Sequence, residues 1–187
     1  LNESVYTNVS ISKSGYTQVV PGQEIRYTFK DIGNNSTVPL DSFYWRDTLP
    51  TDAVRLDKII TGTYSARLNY KVVFQTNLND TQRVLADNLN TQKNYTLDAS
   101  PAALGLASNE YVTQVTFLFG RVPGGFKQVE TPYIYCDVLS SLSHEYRFAN
   151  KCDVGGMWQN QWVQATDRWV TIIYRGGPVP TLPRTGY

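Results

Sequence analysis

Little in this 187-residue chain suits it to redox, metal or phosphate chemistry. It contains one histidine, one methionine and two cysteines. Cys136 and Cys152 do not have the paired spacing of a zinc site. There is no glycine-rich phosphate loop. The lone histidine, His144, falls in a predicted loop with no nucleophile to serve. Neither enzymatic turnover nor a bound cofactor or metal is therefore expected. The Asn-rich stretch Asn77–Asp80 lacks the pattern of a calcium loop and reads as a solvated turn. Charge is nearly balanced, with 17 Lys and Arg against 16 Asp and Glu, and it is evenly spread, so nucleic acid is not an expected partner. No apolar run approaches the length of a membrane span, and Leu1 does not begin a signal peptide.

Aromatics are what the chain has in quantity: 13 Tyr, 7 Phe and 4 Trp, beside many β-branched residues. Few stripes have helical spacing, so the fold class is all-β. Strand-like alternation runs over Val5–Ser12, Glu24–Lys30, Ser42–Asp47, Val54–Thr61 and Asn69–Gln75. It returns over Tyr111–Phe119, Thr131–Val138, Tyr146–Val154, Gln161–Thr166 and Arg168–Tyr174. Turn residues separate the runs, among them Pro21-Gly22, Pro123-Gly124-Gly125 and Gly155-Gly156. Many short strands at this spacing predict an Ig-like β-sandwich over residues 1–175. Residues 77–108 read as an irregular insertion in it, with one short helical turn capped by Ser100 and opened by Pro101. Residues 176–187 read as a Gly/Pro linker carrying a terminal motif.

The strand period of two raises a sharper question: which polar residues share a face with the apolar ones? Lys13 follows Val5, Val9 and Ile11 in register. Asp47 lies between Trp45 and Leu49 on the face of Phe43, and Asn150 lies between Phe148 and Cys152 on the face of Val154. Parity thus sends one lysine, one aspartate and one asparagine into the core, where unpartnered polar groups are costly. Together they are the parts of an intramolecular isopeptide bond. A lysine amine becomes a nucleophile once it loses its proton, and a dry interior favours that loss. A carboxyl group in an apolar site stays protonated more readily and can polarise a carboxamide. Lys13 is the expected nucleophile, Asn150 the acceptor and Asp47 the acid/base that moves the proton. Singly, each residue has a plainer reading: a snorkelling lysine, a turn-capping aspartate, an asparagine in a bend. Lys30, Lys58 and Lys71 occupy exposed-looking positions.

The run Val20-Pro21-Gly22-Gln23-Glu24-Ile25-Arg26-Tyr27-Thr28, followed by Asp47-Thr48-Leu49-Pro50, resembles the conserved-repeat sandwich domains of bacterial surface proteins, relatives of the collagen-adhesin isopeptide domains. In that group a lysine upstream of the Pro-Gly turn, the aspartate of Asp-x-Leu-Pro and a late-strand asparagine form the cross-link. By position these match Lys13, Asp47 and Asn150. The family tends to place a small residue two after the asparagine, where this chain has Cys152.

Leu182-Pro183-Arg184-Thr185-Gly186 is similar to the Leu-Pro-x-Thr-Gly signal read by the sortases of Gram-positive bacteria. Pro183 biases Leu182 toward an extended backbone, and Gly186 clears bulk from beside the scissile carbonyl. The resemblance implies an extracellular, cell-wall-anchored protein, with sortase and either peptidoglycan or a neighbouring pilin as partners. Substrates of this kind carry a hydrophobic stretch and a basic tail after the motif, so the chain is expected to be a piece of a longer protein. The implied role is an anchor-proximal stalk domain of a surface protein or pilin. The alternative is an adhesin module taking a host glycan or matrix ligand through aromatics such as Trp158, with Trp162 and Trp169 assigned to the core. If residues 131–138 and 146–154 form a hairpin, Cys136 and Cys152 meet in the core, as a disulfide or as two free thiols.

Overall fold

Strand alternation builds two sheets in the computed structural model, which describes residues 4–176. The smaller has the order β1 (Val9–Ser14), β3 (Glu24–Asn34), β10 (Tyr133–Val138), β5 (Val54–Ile60) and β8 (Thr96–Asp98). The larger runs β2 (Gln18–Val19), β12 (Gln161–Ile173), β11 (Arg147–Trp158), β4 (Leu40–Thr48), β9 (Val112–Val122), β6 (Asn69–Thr76) and β7 (Arg83–Asn90). Neighbours are antiparallel except β2 with β12. The inner faces meet in one aromatic-rich core, and the all-β sandwich expected from the sequence is what forms. Trp45 stacks on Phe117 at 4.1 Å and packs against Phe29 at 4.7 Å, joining the sheets at the centre.

Several local expectations need correction. Residues 77–108 are not wholly irregular: β7 and β8 extend one edge of each sheet. Between them and β9 lies the short helix α1 (Pro101–Leu104), capped by Ser100 as predicted. Strands β10 and β11 belong to different sheets, so no hairpin joins Cys136 to Cys152. Gly155 and Gly156 form no turn; they lie within β11 at a register shift against β4, where a Cβ on Gly155 would come 2.8 Å from the Tyr44 ring. The two last runs are one strand, β12. Val5 is exposed and precedes β1.

Strand β1 is a seam. It pairs with β3 in the smaller sheet, yet the stretch it begins lies along β12 of the larger one. The Tyr16 carbonyl accepts from Trp169 Nε1 (3.0 Å) and Thr171 Oγ1 (2.6 Å). Ile172 N–H donates to the Thr17 carbonyl, and Tyr174 N–H to that of Val19. Partner numbers rise together, so the first stretch runs parallel to the last strand. Gly15 allows this close passage, since a Cβ there would sit 3.0 Å from the Tyr27 ring and 3.2 Å from that of Trp169.

Candidate functional site

Lys13, Asp47 and Asn150 all point into the core, as parity requires. Val9, Ile11 and Lys13 form the buried face of β1. Phe43, Trp45 and Asp47 are buried on β4, and Phe148, Asn150, Cys152 and Val154 on β11. Asp47 and Asn150 have no exposed surface, and the Lys13 side chain is fully enclosed. The plainer reading of Lys13, with its head in water, is therefore excluded.

The three side chains meet on the carboxyl group. Lys13 Nζ donates to Asp47 Oδ1 at 2.8 Å, and Asn150 Nδ2 donates to Asp47 Oδ2 at 3.3 Å. The Lys13 ammonium also lies over two rings of β3, 4.0 Å from the centroid of Phe29 and 4.3 Å from that of Tyr27. Phe29 is its ladder partner, so the β1–β3 register brings the cation to that ring. Asn150 Oδ1 is buried with no hydrogen-bond partner among the described residues. The Tyr27 phenol oxygen is likewise buried and makes no full hydrogen bond among the described residues.

Burial pushes the Asp47 carboxyl above its ordinary value of 3.8, against the opposing influence of Lys13 and Asn150. An isolated pair of this kind is strained: desolvation of both ions offsets much of their attraction, and removing either partner costs about 3–5 kcal/mol. Burial likewise raises the Tyr27 phenol and the thiol of Cys136 well above their usual ranges. The Cys152 thiol rises to about 12, again chiefly through burial. Both cysteines are free thiols, in opposite sheets, near enough to Lys13 and Asp47 to feel their charges.

One residue of the site escaped the sequence reading. Asp167 Oδ2 accepts the backbone N–H of Lys13 at 2.7 Å. Its parity with Trp169 and Thr171, both turned toward the β1 seam, was the available signal. Dividing β12 at this aspartate hid it. Elsewhere, Trp158 is partly buried against the core, Trp169 is half-buried, and Trp162 is 50% exposed rather than internal, edge-on to Tyr44. Of the other lysines, Lys30 and Lys71 are exposed, and Lys58 is half-buried over the Tyr135 ring. The sorting motif, Leu182 to Gly186, lies outside the described residues.

No family model matches the chain, and no curated protein matches it. Among solved structures it is similar to a cohesin module from a Clostridium perfringens family 33 glycoside hydrolase, at 9% identity and a TM-score of 0.42, covering 91% of this chain and 98% of that one. It is similar to the collagen-binding domain of a Staphylococcus aureus adhesin, at 10% identity and a TM-score of 0.35, covering 93% and 100%. A putative membrane anchored protein from Corynebacterium diphtheriae matches at 14% identity and a TM-score of 0.42, over 93% of this chain and 38% of that one. Likeness at this level assigns no activity and no ligand.

Proposed function

We propose that this chain is a load-bearing stalk domain of a sortase-anchored bacterial surface protein or pilin, locked by an autocatalytic isopeptide bond between Lys13 and Asn150. The observation that carries the reading is the enclosed set itself: an amine, a carboxyl and a carboxamide in one hydrogen-bonded group, walled by aromatic rings. The sorting motif at Leu182–Gly186 supplies the anchoring half of the reading, with peptidoglycan or a neighbouring pilin as the acceptor.

The chemistry follows from the contacts. Lys13 passes a proton to Asp47 along their 2.8 Å hydrogen bond, leaving a neutral amine and a neutral acid. A half-turn of the Asn150 amide turns its Oδ1 toward the carboxyl group, and a half-turn of that group about Cβ–Cγ brings the protonated oxygen to it, where the acid donates and polarises the carbonyl. Lys13 Nζ attacks Cγ. The amine proton moves by way of Asp47 to the amide nitrogen, the C–N bond to it breaks, and one ammonia leaves. The product is a secondary amide, and Asp47 is left as the neutral acid, holding the proton that Lys13 first gave up. This is a single turnover and not enzymatic catalysis.

Intact-mass spectrometry of the purified chain tests the bond. A deficit of one ammonia, absent in Lys13→Ala and Asp47→Ala, is expected. A deficit of one water would instead join Lys13 to Asp47, and the full sequence mass would reject any such bond. Anchoring is tested separately: a wall-type sortase with an amine acceptor should cut after Thr185, and an uncut chain refutes that half alone.

A further inference from the structure

An amine cannot attack reproducibly unless the strand that bears it is fixed, and β1 has a built-in slackness. Its register against β3 shifts between Ser10 and Ser12, just before the nucleophile. A slip of one residue would turn Lys13 to the opposite face. We infer that Asp167 is the positioning residue of the cross-linking reaction: its carboxylate pins the backbone of Lys13 while Asp47 holds the amine. This rests on the reading of Lys13, Asp47 and Asn150 as the reacting set.

The ladders show how the device is built. Asp167 stands opposite Cys152, and Cys152 stands opposite Asp47, so the three form one row across β12, β11 and β4. Adjacent strands lie about 4.8 Å apart, which separates the two aspartate backbones by roughly 10 Å. One lysine bridges the row, its N–H on Asp167 at 2.7 Å and its Nζ on Asp47 at 2.8 Å. Cys152 lies between the two aspartates in that row. A bond from a backbone N–H to a carboxylate is charge-assisted and short. It comes from the larger sheet, so it fixes β1 relative to the strand pair that carries the acceptor. Asn150 faces Trp169 on the same β12, two residues beyond Asp167. Nucleophile and acceptor are thus registered against a single strand.

The test is the rate of the mass deficit in the full chain, made by cell-free synthesis and quenched at intervals. Misplacement of a reacting group by about 1 Å costs on the order of 100-fold in rate. Asp167→Ala should slow cross-linking by about that factor, whereas Asp167→Asn, which keeps an acceptor oxygen, should slow it by less than about 10-fold. Thr171→Val, which loosens the same seam at Tyr16, serves as the control for a merely structural effect. It should lower Tm yet leave the rate near wild type, with folding of each variant checked by near-UV circular dichroism. Equal rates for Asp167→Ala and Thr171→Val would overturn the inference while leaving the bond itself intact. A wild-type chain that never loses ammonia would remove both.

Discussion

Consider the chain held by its two ends and pulled. If Lys13 and Asn150 are joined, tension entering β1 crosses the new amide to β11 and leaves through β12, so residues 14–149 carry none of it. What remains to be drawn out is Val9–Lys13 and the stretch from Asn150 to Ile173, about 27 residues together, which at about 3.3–3.6 Å each gives roughly 90 Å of released length. Without the bond, everything from Val9 to Ile173 is free to unravel, about 164 residues and on the order of 550 Å. Both figures are reduced by the folded distance between the ends. Single-molecule force spectroscopy on the wild type and on Asp47→Ala separates such lengths easily. A wild-type release near 550 Å would refute the load path.

The unlinked variant has a mechanical character of its own. The stretch Lys13–Val19 runs parallel to β12, so pulling the amino end one way and the carboxyl end the other slides the two past each other. Their hydrogen bonds, from Lys13 N–H on Asp167 to Tyr174 N–H on Val19, are then loaded together in shear. Asp47→Ala should therefore yield at one force peak, and adding Thr171→Val should lower it. A rupture force unmoved by Thr171→Val would place the resistance elsewhere.

Three further outcomes are expected. Closing a loop of about 137 residues stabilises by about 5 kcal/mol on chain-entropy grounds, so Asn150→Ala should lose roughly 10–20 °C in Tm by calorimetry, and an unchanged Tm would argue against a covalent link. In that unlinked protein Asp47 keeps a carboxyl pKa raised by burial; its contribution is full below the ordinary value of 3.8 and fades as pH climbs through the folded value. The Tm advantage of Asn150→Ala over Asn150→Ala/Asp47→Asn should accordingly shrink with rising pH, and a pH-independent difference would contradict the assignment. Cys136 and Cys152, buried with raised thiol pKa values, should resist a thiol reagent in the native state and both react in denaturant; no reaction in denaturant would mean they are joined.

The site was legible wherever a strand had one clearly buried face. On β1 and β11 the apolar residues alternate cleanly, and on β4 Phe43, Trp45 and Leu49 mark one side despite the buried Tyr44 between them, so a single polar residue in step stands out as buried: Lys13, Asp47 and Asn150. Strand β12 offers no such contrast. Its outward face carries Trp162 and Val170, 50% and 41% exposed, so apolar residues mark neither side and Asp167 reads as a break. Strand β7 failed for a related reason: as an edge strand it buries only Leu89, and its polarity imitates a loop. The connection 139–146 fits a hairpin or a crossing between sheets equally well. Only packing decides that it crosses, leaving one cysteine in each sheet.

If the proposed bond forms, the distribution of its groups between sheets dictates when. Lys13 arrives on the smaller sheet, whereas Asp47, Asn150 and Asp167 arrive on the larger one. Before the sheets close, each group is hydrated: the lysine keeps its proton, and the aspartate is an ordinary solvated carboxylate with no reason to hold one. Closure desolvates the amine and the acid in the same step and seats the ammonium between Phe29, Tyr27 and Asp47. The proton transfer that the proposed reaction needs would therefore be a consequence of native packing and could not precede it. A chain with the wrong strand register leaves Lys13 in water and unreactive. Cross-linking would then seal correctly folded molecules alone, which is what a domain carrying tension in a series of others requires.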